Sequence, residues 1–474
     1  MKKLRNISII IAVASATTFS SCKKDFLELL PYNQIALDVA ITNEADMQTA
    51  INGAYAAMRD ADLFGRTLLL DGDLLADNVA IAINNSNRYL ADYNYSYTPT
   101  FANGLSTWSD AYNVILRVNN IINANVAGTD VSNQLRGEAL TIRSLMYFYL
   151  VNYYAKPHTV DPTAPGVPIV LQYNPSLRPA RNTVAEVYSR METDLNEAFS
   201  LMTNTAKNSS YVTKYVAKAF LAKVLLFKGD WEGAKTAALD VVNNGGYTLT
   251  SAANLVNYWK GATPTTTKVE TIFEIQNDNV SNTTPANDAL PYFYDQTGYG
   301  DAFAVDALYN IYSATDVRRE LMVATVRAGQ PIYAVVKYPN VNNAAEKDDY
   351  KILRYADILL ILAEAYARTN DEANARLRLN QVAQARDPSF AGYTSTGTAL
   401  IDDIILERRK ELAFEGQRYL DLLRLNRDVV RINLNGNYAG TVPLLLETTN
   451  PKRQWPIPQI ERDANPNIQQ NAGY

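Results

Sequence analysis

Two carboxylates late in the chain have a spacing that acid–base chemistry could use. Glu411 and Glu415 are four residues apart, so one helix would carry them on the same face. A glycosidase needs two carboxyl groups about 5–10 Å apart. The same stretch has cations at 408–410 and at Arg418. Neighbouring cations lower the pKa of a carboxyl group, whereas a general acid needs a raised pKa. We therefore expect a structural ion network of i, i+3 and i, i+4 pairs, with a glycoside hydrolase as the alternative.

Other catalytic and cofactor-binding patterns are missing from the sequence. The single histidine, His158, follows Pro157 in a connecting segment, so neither a Ser–His–Asp set nor a histidine-based metal site is expected. There is no glycine-rich phosphate loop and no D-x-D-x-D-G calcium loop. The 474-residue chain has a net charge of −5, which disfavours a nucleic-acid binder. We expect a protein that is not an enzyme and that holds no cofactor and no metal.

The only cysteine stands where a lipid could be attached. Three cations within the first five residues precede an apolar stretch at 7–16, and two serines then lead directly into Cys22. The apolar stretch is too short to span a bilayer, and no other segment is apolar for long enough. This pattern predicts a signal peptide over residues 1–21 and a bacterial lipoprotein with acylated Cys22 as its first residue. A plain signal peptide with a chance cysteine is the alternative.

Aromatic residues are concentrated in two polar, loop-like stretches, 73–108 and 277–312. The chain has 31 Tyr against 13 Phe, and Tyr suits surfaces that stack on an apolar face and also form hydrogen bonds. We expect most of these rings to attach the loops to the helical body, and a few to be exposed for ligand stacking. The candidate ligand-binding residues are Asp73, Asn78, Arg88, Tyr93, Tyr95, Trp108, Tyr292, Tyr294 and Tyr299.

The elements that must position these loops are amphipathic helices. Thr183 and Glu186 form a capping box in front of a helix over 183–202. A second helix is predicted over 214–228, followed by a glycine and an aspartate that end it and begin a third helix over 231–242. A helix–turn–helix of about 30 residues has the size of a tetratricopeptide unit.

Parts of this pattern recur along the chain. Leu221-Ala222-Lys223 corresponds to Leu362-Ala363-Glu364, and Gly229-Asp230 corresponds to Asn370-Asp371. A helix over 137–154 is predicted to pair with 183–202, and a last pair is predicted to start at 401–415. Residues 269–276 are predicted to form one short strand. Such repeats bury a continuous core only when they stack.

Several of these segments resemble the SusD/RagB family of outer-membrane lipoproteins. The resemblance rests on the segment 137–154, the Cys22–Glu28 start of the mature chain, Arg354–Leu360 with Ala363–Ala365, the stretch from Glu407 to Leu422, and the tail Gln470–Tyr474. The motifs follow the family order over 22–474. The tail departs from the family pattern at Ala472, and residues 277–350 show little similarity.

The resemblance implies an all-α fold in which tetratricopeptide-like helix pairs form a scaffold, while long loops and small helices form a ligand-binding face. It implies a protein that is not an enzyme, that captures an oligosaccharide or polysaccharide at the cell outer membrane, and that delivers it to a SusC-like TonB-dependent transporter. A tetratricopeptide-type protein-interaction scaffold is the alternative. The expected division is 1–21 signal peptide, 22–136 loop-rich part with ligand loops, 137–276 and 351–430 repeat scaffold, 277–350 variable ligand-face insertion, and 431–474 C-terminal wrapping tail.

Overall fold

The computed structural model describes residues 41–203, 209–263, 268–277, 288–340, 342–343, 347–432 and 443–474, so Cys22 and the predicted signal peptide lie outside the described residues. The α-helices are α1 (Glu44–Met58), α2 (Thr67–Leu74), α3 (Leu90–Tyr93), α4 (Ala102–Ile122), α5 (Asp130–Tyr154), α6 (Val184–Leu201), α7 (Lys214–Lys228), α8 (Trp231–Asn244), α9 (Ala252–Lys260), α10 (Leu290–Tyr294), α11 (Asp306–Tyr309), α12 (Tyr355–Arg368), α13 (Glu372–Arg386), α14 (Gly397–Glu411), α15 (Arg418–Arg424) and α16 (Gln459–Ala464). Short 3₁₀ helices cover Val317–Leu321 and Pro451–Arg453. The strands are β1 (Val79–Ile81), β2 (Thr271–Ile275), β3 (Ala302–Ala304), β4 (Met322–Arg327), β5 (Gln330–Val335), β6 (Tyr350–Arg354), β7 (Val429–Val430) and β8 (Leu445–Leu446). Within the described ranges, no helix combines the length and the apolar character needed to cross a bilayer.

The helices stack in an array, as the sequence predicts. From α4 to α8, each helix packs against the next one in the chain, α8 then packs against α12, and α12 packs against both α13 and α14. The predicted pairing of 137–154 with 183–202 is confirmed by the packing of α5 on α6, although α5 begins at Asp130. Their facing side chains join one continuous hydrophobic core. This helical scaffold carries the remaining parts of the chain.

The turns between paired helices follow the predicted chemistry. Gly229 ends α7 with φ +84°, and the Asp230 side chain accepts a hydrogen bond of 2.9 Å from the Gly233 backbone N–H at the start of α8. At the corresponding turn between α12 and α13, Asn370 has φ +63° and Asp371 caps the next helix. Glycine and asparagine tolerate this left-handed conformation better than other residues. The two corresponding dipeptides therefore make equivalent turns.

The described residues also form short strands that the sequence pattern did not predict. Only β2 matches a predicted strand, and it pairs with β6. A four-stranded sheet has the order β1-β3-β5-β4, and β7 pairs with β8. The pairing of β1 with β3 matters most, because it joins the two aromatic stretches of the sequence.

Glu411 and Glu415 lie in a buried ion network, but their partners are cations distant in the chain and not the predicted i, i+3 and i, i+4 neighbours, and the two carboxylates do not share a helix. Helix α14 ends at Glu411, and Glu415 follows in a turn where Phe414 has φ +67°. Both side chains are buried and both accept hydrogen bonds from Arg354, at 2.8 Å for Glu411 and 2.7 Å for Glu415. Helix α14 covers most of the predicted 401–415 segment, and the short α15 that follows it packs against α2. The prediction of one continuous helical face was wrong because the turn interrupts it.

Candidate functional site

The two aromatic stretches, far apart in sequence, lie side by side in the fold. Strand β1 pairs with β3 so that Val79 faces Ala304 and Ile81 faces Ala302. The pairing is extended where the Ala82 backbone N–H donates to the Asp301 carbonyl at 2.7 Å. This juxtaposition presents a partly exposed group of side chains that we call the loop surface. Its members are Arg88, Asp288, Tyr292, Tyr299 and Arg327.

Arg88 links the two halves of the loop surface. Its guanidinium pairs with the Asp288 carboxylate and lies 5.3 Å from the Phe293 ring centre and 5.9 Å from the Tyr299 ring centre. The side chain of Arg88 is 36% exposed. Asp288 also pairs with Arg66, so two cations hold one carboxylate. Arg88 is thereby fixed in place while part of its guanidinium still faces solvent.

Two tyrosine rings stand beside this arginine. Tyr292 and Tyr299 contact each other edge to face with their centres 4.8 Å apart, and both side chains are partly exposed. Gly298 allows this arrangement, because a Cβ atom there would lie 2.9 Å from Cδ2 of Tyr292. Arg327 donates hydrogen bonds to the carbonyls of Tyr299, at 2.5 Å, and Asn84, at 2.8 Å. The rings are therefore held in fixed positions at the surface.

This arrangement suits a ligand that has both apolar faces and hydroxyl groups. The partly exposed rings offer an apolar face with a phenol at its edge, and the guanidinium offers several N–H donors. A pyranose ring presents C–H groups on one face and hydroxyls around its rim, so it matches such a surface. The chemistry supported is binding by stacking and hydrogen bonds.

Six of the nine predicted binding residues are buried and need correcting. Asp73 and Asn78 are fully buried and bond to each other at 2.8 Å. Asp73 also accepts from the Gly416 backbone N–H at 2.9 Å, and burial raises its pKa to about 6. Arg409 donates to the Asn78 side chain at 2.8 Å. These polar groups hold α2 and β1 against α14 and the turn that follows it, and they are not available to a ligand.

The other four are rings of the core. Tyr93 and Tyr95 are buried with their rings 4.6 and 4.7 Å from the guanidinium of Arg431. Trp108 is buried against Tyr154, with ring centres 5.0 Å apart. Tyr294 is 1% exposed, on the inner side of α10. They attach the loops to the body, as the sequence predicts for most rings, and cannot stack on a ligand from solution.

Arg88, Tyr292 and Tyr299 are thus the predicted residues that the fold brings together at the surface. Sequence analysis missed Asp288 and Arg327. Asp288 lies inside the aromatic stretch 277–312, and the polar composition of that stretch could have identified it as a candidate. Arg327 lies in β4, outside both stretches, and only the sheet brings it to Tyr299.

One group of acidic residues could hold a cation in geometric terms. Asp60, Asp62 and Asp110 place carboxylate oxygens within 4.8 Å of one another. Asp62 already pairs with Arg66 at 3.1 Å. The group therefore has an internal partner, and clusters of this kind are common on protein surfaces.

Two family models match most of this chain, and both describe SusD-type proteins. Residues 25–226 match the family model described as "Starch-binding associating with outer membrane", and residues 253–474 match the model of the SusD family. SusD-like protein P2 of Formosa agariphila is 27% identical, with full coverage of both chains. The chain belongs to the SusD/RagB family, whose members bind glycans and associate with the outer membrane.

Solved structures show the same fold. A SusD superfamily protein of Bacteroides thetaiotaomicron has a TM-score of 0.83 at 28% identity, covering 91% of this chain and 100% of that one. Surface glycan-binding protein A of Bacteroides uniformis has a TM-score of 0.72 at 21% identity, covering 90% and 99%, a likeness of fold alone. The helical scaffold with a loop-built face is therefore the architecture of this family.

Proposed function

We propose that this protein is a non-catalytic receptor that captures an oligosaccharide on its loop surface and delivers it to a SusC-like TonB-dependent transporter. The observation that carries the proposal is the meeting of the two aromatic stretches, which leaves Tyr292 and Tyr299 partly exposed beside Arg88. Rings held edge to face, next to a guanidinium fixed by Asp288, supply stacking and hydrogen bonding without any reacting group. Stacking on an aromatic ring and hydrogen bonds to hydroxyl groups are the two interactions by which a neutral sugar is bound.

The proposal that this protein is not an enzyme is supported by the ionisation of Glu411 and by the burial of Glu411 and Glu415. Burial alone would raise the pKa of Glu411, but the guanidinium groups of Arg386, Arg354 and Arg318 hold it well below its usual range. A general acid must be protonated near neutral pH, and this carboxyl group is ionised. Both Glu411 and Glu415 are also closed off from solvent. They are therefore poor candidates for glycoside hydrolysis.

The proposed location is the outer membrane, with lipidated Cys22 as the anchor. A diacylated cysteine supplies more than one chain, and one chain alone would hold a protein only marginally. Anchoring keeps the receptor beside its transporter, where capture and import can be coupled. The exterior-facing orientation belongs to the same proposal.

The test is calorimetry with neutral oligosaccharides identified on a glycan array. Each ring that stacks on a sugar contributes about 1 kcal/mol, so Tyr292→Ala and Tyr299→Ala should each weaken binding about five- to tenfold. Tyr173→Ala is the matched control, because Tyr173 is 51% exposed and lies outside the loop surface. Unchanged affinity in the Tyr292→Ala, Tyr299→Ala double variant would place the glycan elsewhere.

Delivery is tested separately from capture. Cells that lack this protein but retain its transporter should take up the glycan more slowly at low concentration, and the wild-type gene should restore uptake. Complementation with the double variant should restore less. Full uptake without the protein would refute the delivery step while leaving binding intact.

A further inference from the structure

A second group of partly exposed aromatic rings lies on the four-stranded sheet, outside the loop surface. The rings of Tyr309, at the end of α11, and Tyr333, in β5, are stacked with their centres 3.7 Å apart and an angle of 15° between their planes. The guanidinium carbon of Arg319 lies 4.3 Å from the Tyr309 ring centre. A cation is attracted to the electron-rich face of a ring, which helps to hold this parallel pair together. We call these three residues the tyrosine stack.

One face of the Tyr333 ring is covered and the other is open. In the sheet, Tyr333 stands between Ala304 of β3 and Ala324 of β4, and residues in register point to the same side. Helix α11 follows β3 and packs on β5, so Tyr309 covers the Tyr333 ring from the β3 side. On the β4 side the neighbour is an exposed alanine, which offers only a methyl group. A ligand can therefore lie above Ala324 and against the Tyr333 ring.

The surface around this open face is apolar. Val326 and Pro331 form the next pair of β4 and β5 on the same side of the sheet. Val326 is 67% exposed, and Pro331 is exposed as well. The open ring thus continues into a small flat apolar area.

The polar groups of the tyrosine stack are available to a ligand. Within the described ranges, the hydroxyls of Tyr309 and Tyr333 form no hydrogen bond, and the Arg319 side chain has neither a hydrogen bond nor an ion pair. The Nε atom of Arg319 is buried without an acceptor, whereas its terminal nitrogens and the two phenol oxygens are not closed off from solvent. A phenol can both donate and accept, and a guanidinium donates. These groups can therefore bond to hydroxyls that approach from solution.

The charges near Tyr333 give no preference for a charged ligand. Burial raises the pKa of the Tyr333 hydroxyl, and of its charged neighbours Asp306 raises that pKa while Arg319 lowers it. A carboxylate and a guanidinium thus act on the same position with opposite signs. An open ring face with hydroxyl groups at its edge suits the C–H face and the hydroxyls of a neutral sugar ring.

We propose that the open face of Tyr333, above Ala324, is a second glycan-binding site that takes one pyranose ring of a neutral oligosaccharide. Its position separates it from the loop surface, because Arg327 is three residues from Ala324 in β4 and points to the other side of the sheet. The inference rests on the proposed function only in taking a glycan as the ligand. The two sites share no residue, so each can fail without the other.

The probes are maltohexaose, cellohexaose and mannohexaose, three neutral oligosaccharides that differ in linkage or ring configuration. Calorimetry is done on wild type and on the Tyr292→Ala, Tyr299→Ala variant, which lacks the rings of the loop surface and should still bind at least one probe. In that background, Tyr333→Ala should weaken binding about fivefold, as expected for the loss of one stacking ring. Tyr333→Phe keeps the ring and should lose less affinity.

A blocking variant makes the test specific. Ala324→Ile places a larger side chain beside the open ring face and should abolish binding in the same background, and β-branched residues suit a strand. Val323→Ile is the matched control, because Val323 is the preceding residue of β4, is 47% exposed and points to the other side of the sheet. The two isoleucine variants should have the same melting temperature. If Ala324→Ile does not fold, the comparison of Tyr333→Ala with Tyr333→Phe decides.

Two results would overturn the proposal. One is the absence of binding of all three probes at millimolar concentration by the Tyr292→Ala, Tyr299→Ala variant, and the other is equal affinity in Ala324→Ile and Val323→Ile. Either result leaves capture at the loop surface untouched, provided that wild type binds. Loss of binding in Ala324→Ile together with full affinity in the Tyr292→Ala, Tyr299→Ala variant would refute the loop surface and support the Tyr333 site.

Discussion

Replacing Glu411 by Gln tests whether the buried acidic cluster is structural. The carboxylate accepts hydrogen bonds from Arg354 at 2.8 Å, from Arg318 at 2.9 Å and from Arg386 at 2.9 Å. Glutamine keeps the shape but replaces one acceptor oxygen with an NH₂ group. That group would face guanidinium donors, and three buried cations would lose their shared counter-charge.

The expected loss is large. Breaking a buried ion pair by removing one partner costs about 3–5 kcal/mol. With an unfolding entropy of about 2.1 cal/mol/K per residue, roughly 1 kcal/mol/K for the whole chain, the melting temperature should fall by about 3–5 °C. The depressed pKa of Glu411 gives a second expectation. Its stabilising effect is present above the unfolded value of about 4.3 and is lost only when the pH falls through the much lower folded value.

Differential scanning calorimetry and glycan binding together make the assay. Glu232→Gln is the control, because Glu232 is 69% exposed in a surface pair with Lys235 and should shift the melting temperature by no more than about 1 °C. Glycan affinity should be unchanged in both variants. An unchanged melting temperature in Glu411→Gln would refute the structural role. Glycan breakdown by wild type that disappears in this variant would refute the non-catalytic proposal.

Further expectations concern the anchor, the rings, salt and pH. Cys22→Ser should move the protein from the membrane to the soluble fraction, and a variant that still sediments with membranes would exclude lipid anchoring. Gly298→Ala should displace the Tyr292 ring and weaken glycan affinity several-fold by calorimetry, since the new Cβ would meet Cδ2 at 2.9 Å. Affinity for a neutral oligosaccharide should change less than about twofold between 50 and 500 mM salt, and a steep dependence would indicate an anionic ligand at the loop surface. Burial raises the pKa of Asp92 to about 7, so the folded state binds protons that the unfolded chain has released, and this group reduces stability as the pH rises from about 4 to 7. Asp92→Asn should therefore gain stability relative to wild type between pH 5 and pH 8 in urea unfolding, and a constant difference would contradict the assignment.

Local sequence signals determined the helical scaffold. The capping box of Thr183 and Glu186 sits at the start of α6, with both of its hydrogen bonds formed. Gly229 and Asp230 mark the α7–α8 turn. Such signals act over a few residues, because capping and left-handed turns satisfy backbone groups within one or two turns of helix. They can therefore be recognised without knowledge of the rest of the chain.

Exposure of the aromatic rings was decided by contacts distant in sequence. Tyr95 is buried because its hydroxyl meets Arg431, 336 residues later in the chain. Tyr294 and Tyr292 are two residues apart on the same short helix, yet one is enclosed and the other is partly exposed. The polar composition of the surrounding loops is compatible with either outcome. Only the fold distinguishes them.

The loop surface itself is a product of tertiary structure. The repeat helices and the two aromatic stretches are recognisable from the sequence, and lipid attachment at Cys22 is predicted from it, because each pattern depends on residues that are close together in the chain. The pairing of Val79 with Ala304 and the approach of Arg88 to Asp288 join segments about 200 residues apart. Such pairings are fixed by the packing of the whole core, since the loss of chain entropy on closing a long loop must be offset by many contacts at once. The sequence therefore indicated candidate residues for the proposed sugar-binding surface, and the fold decided which of them meet at the surface and added Asp288 and Arg327 to them.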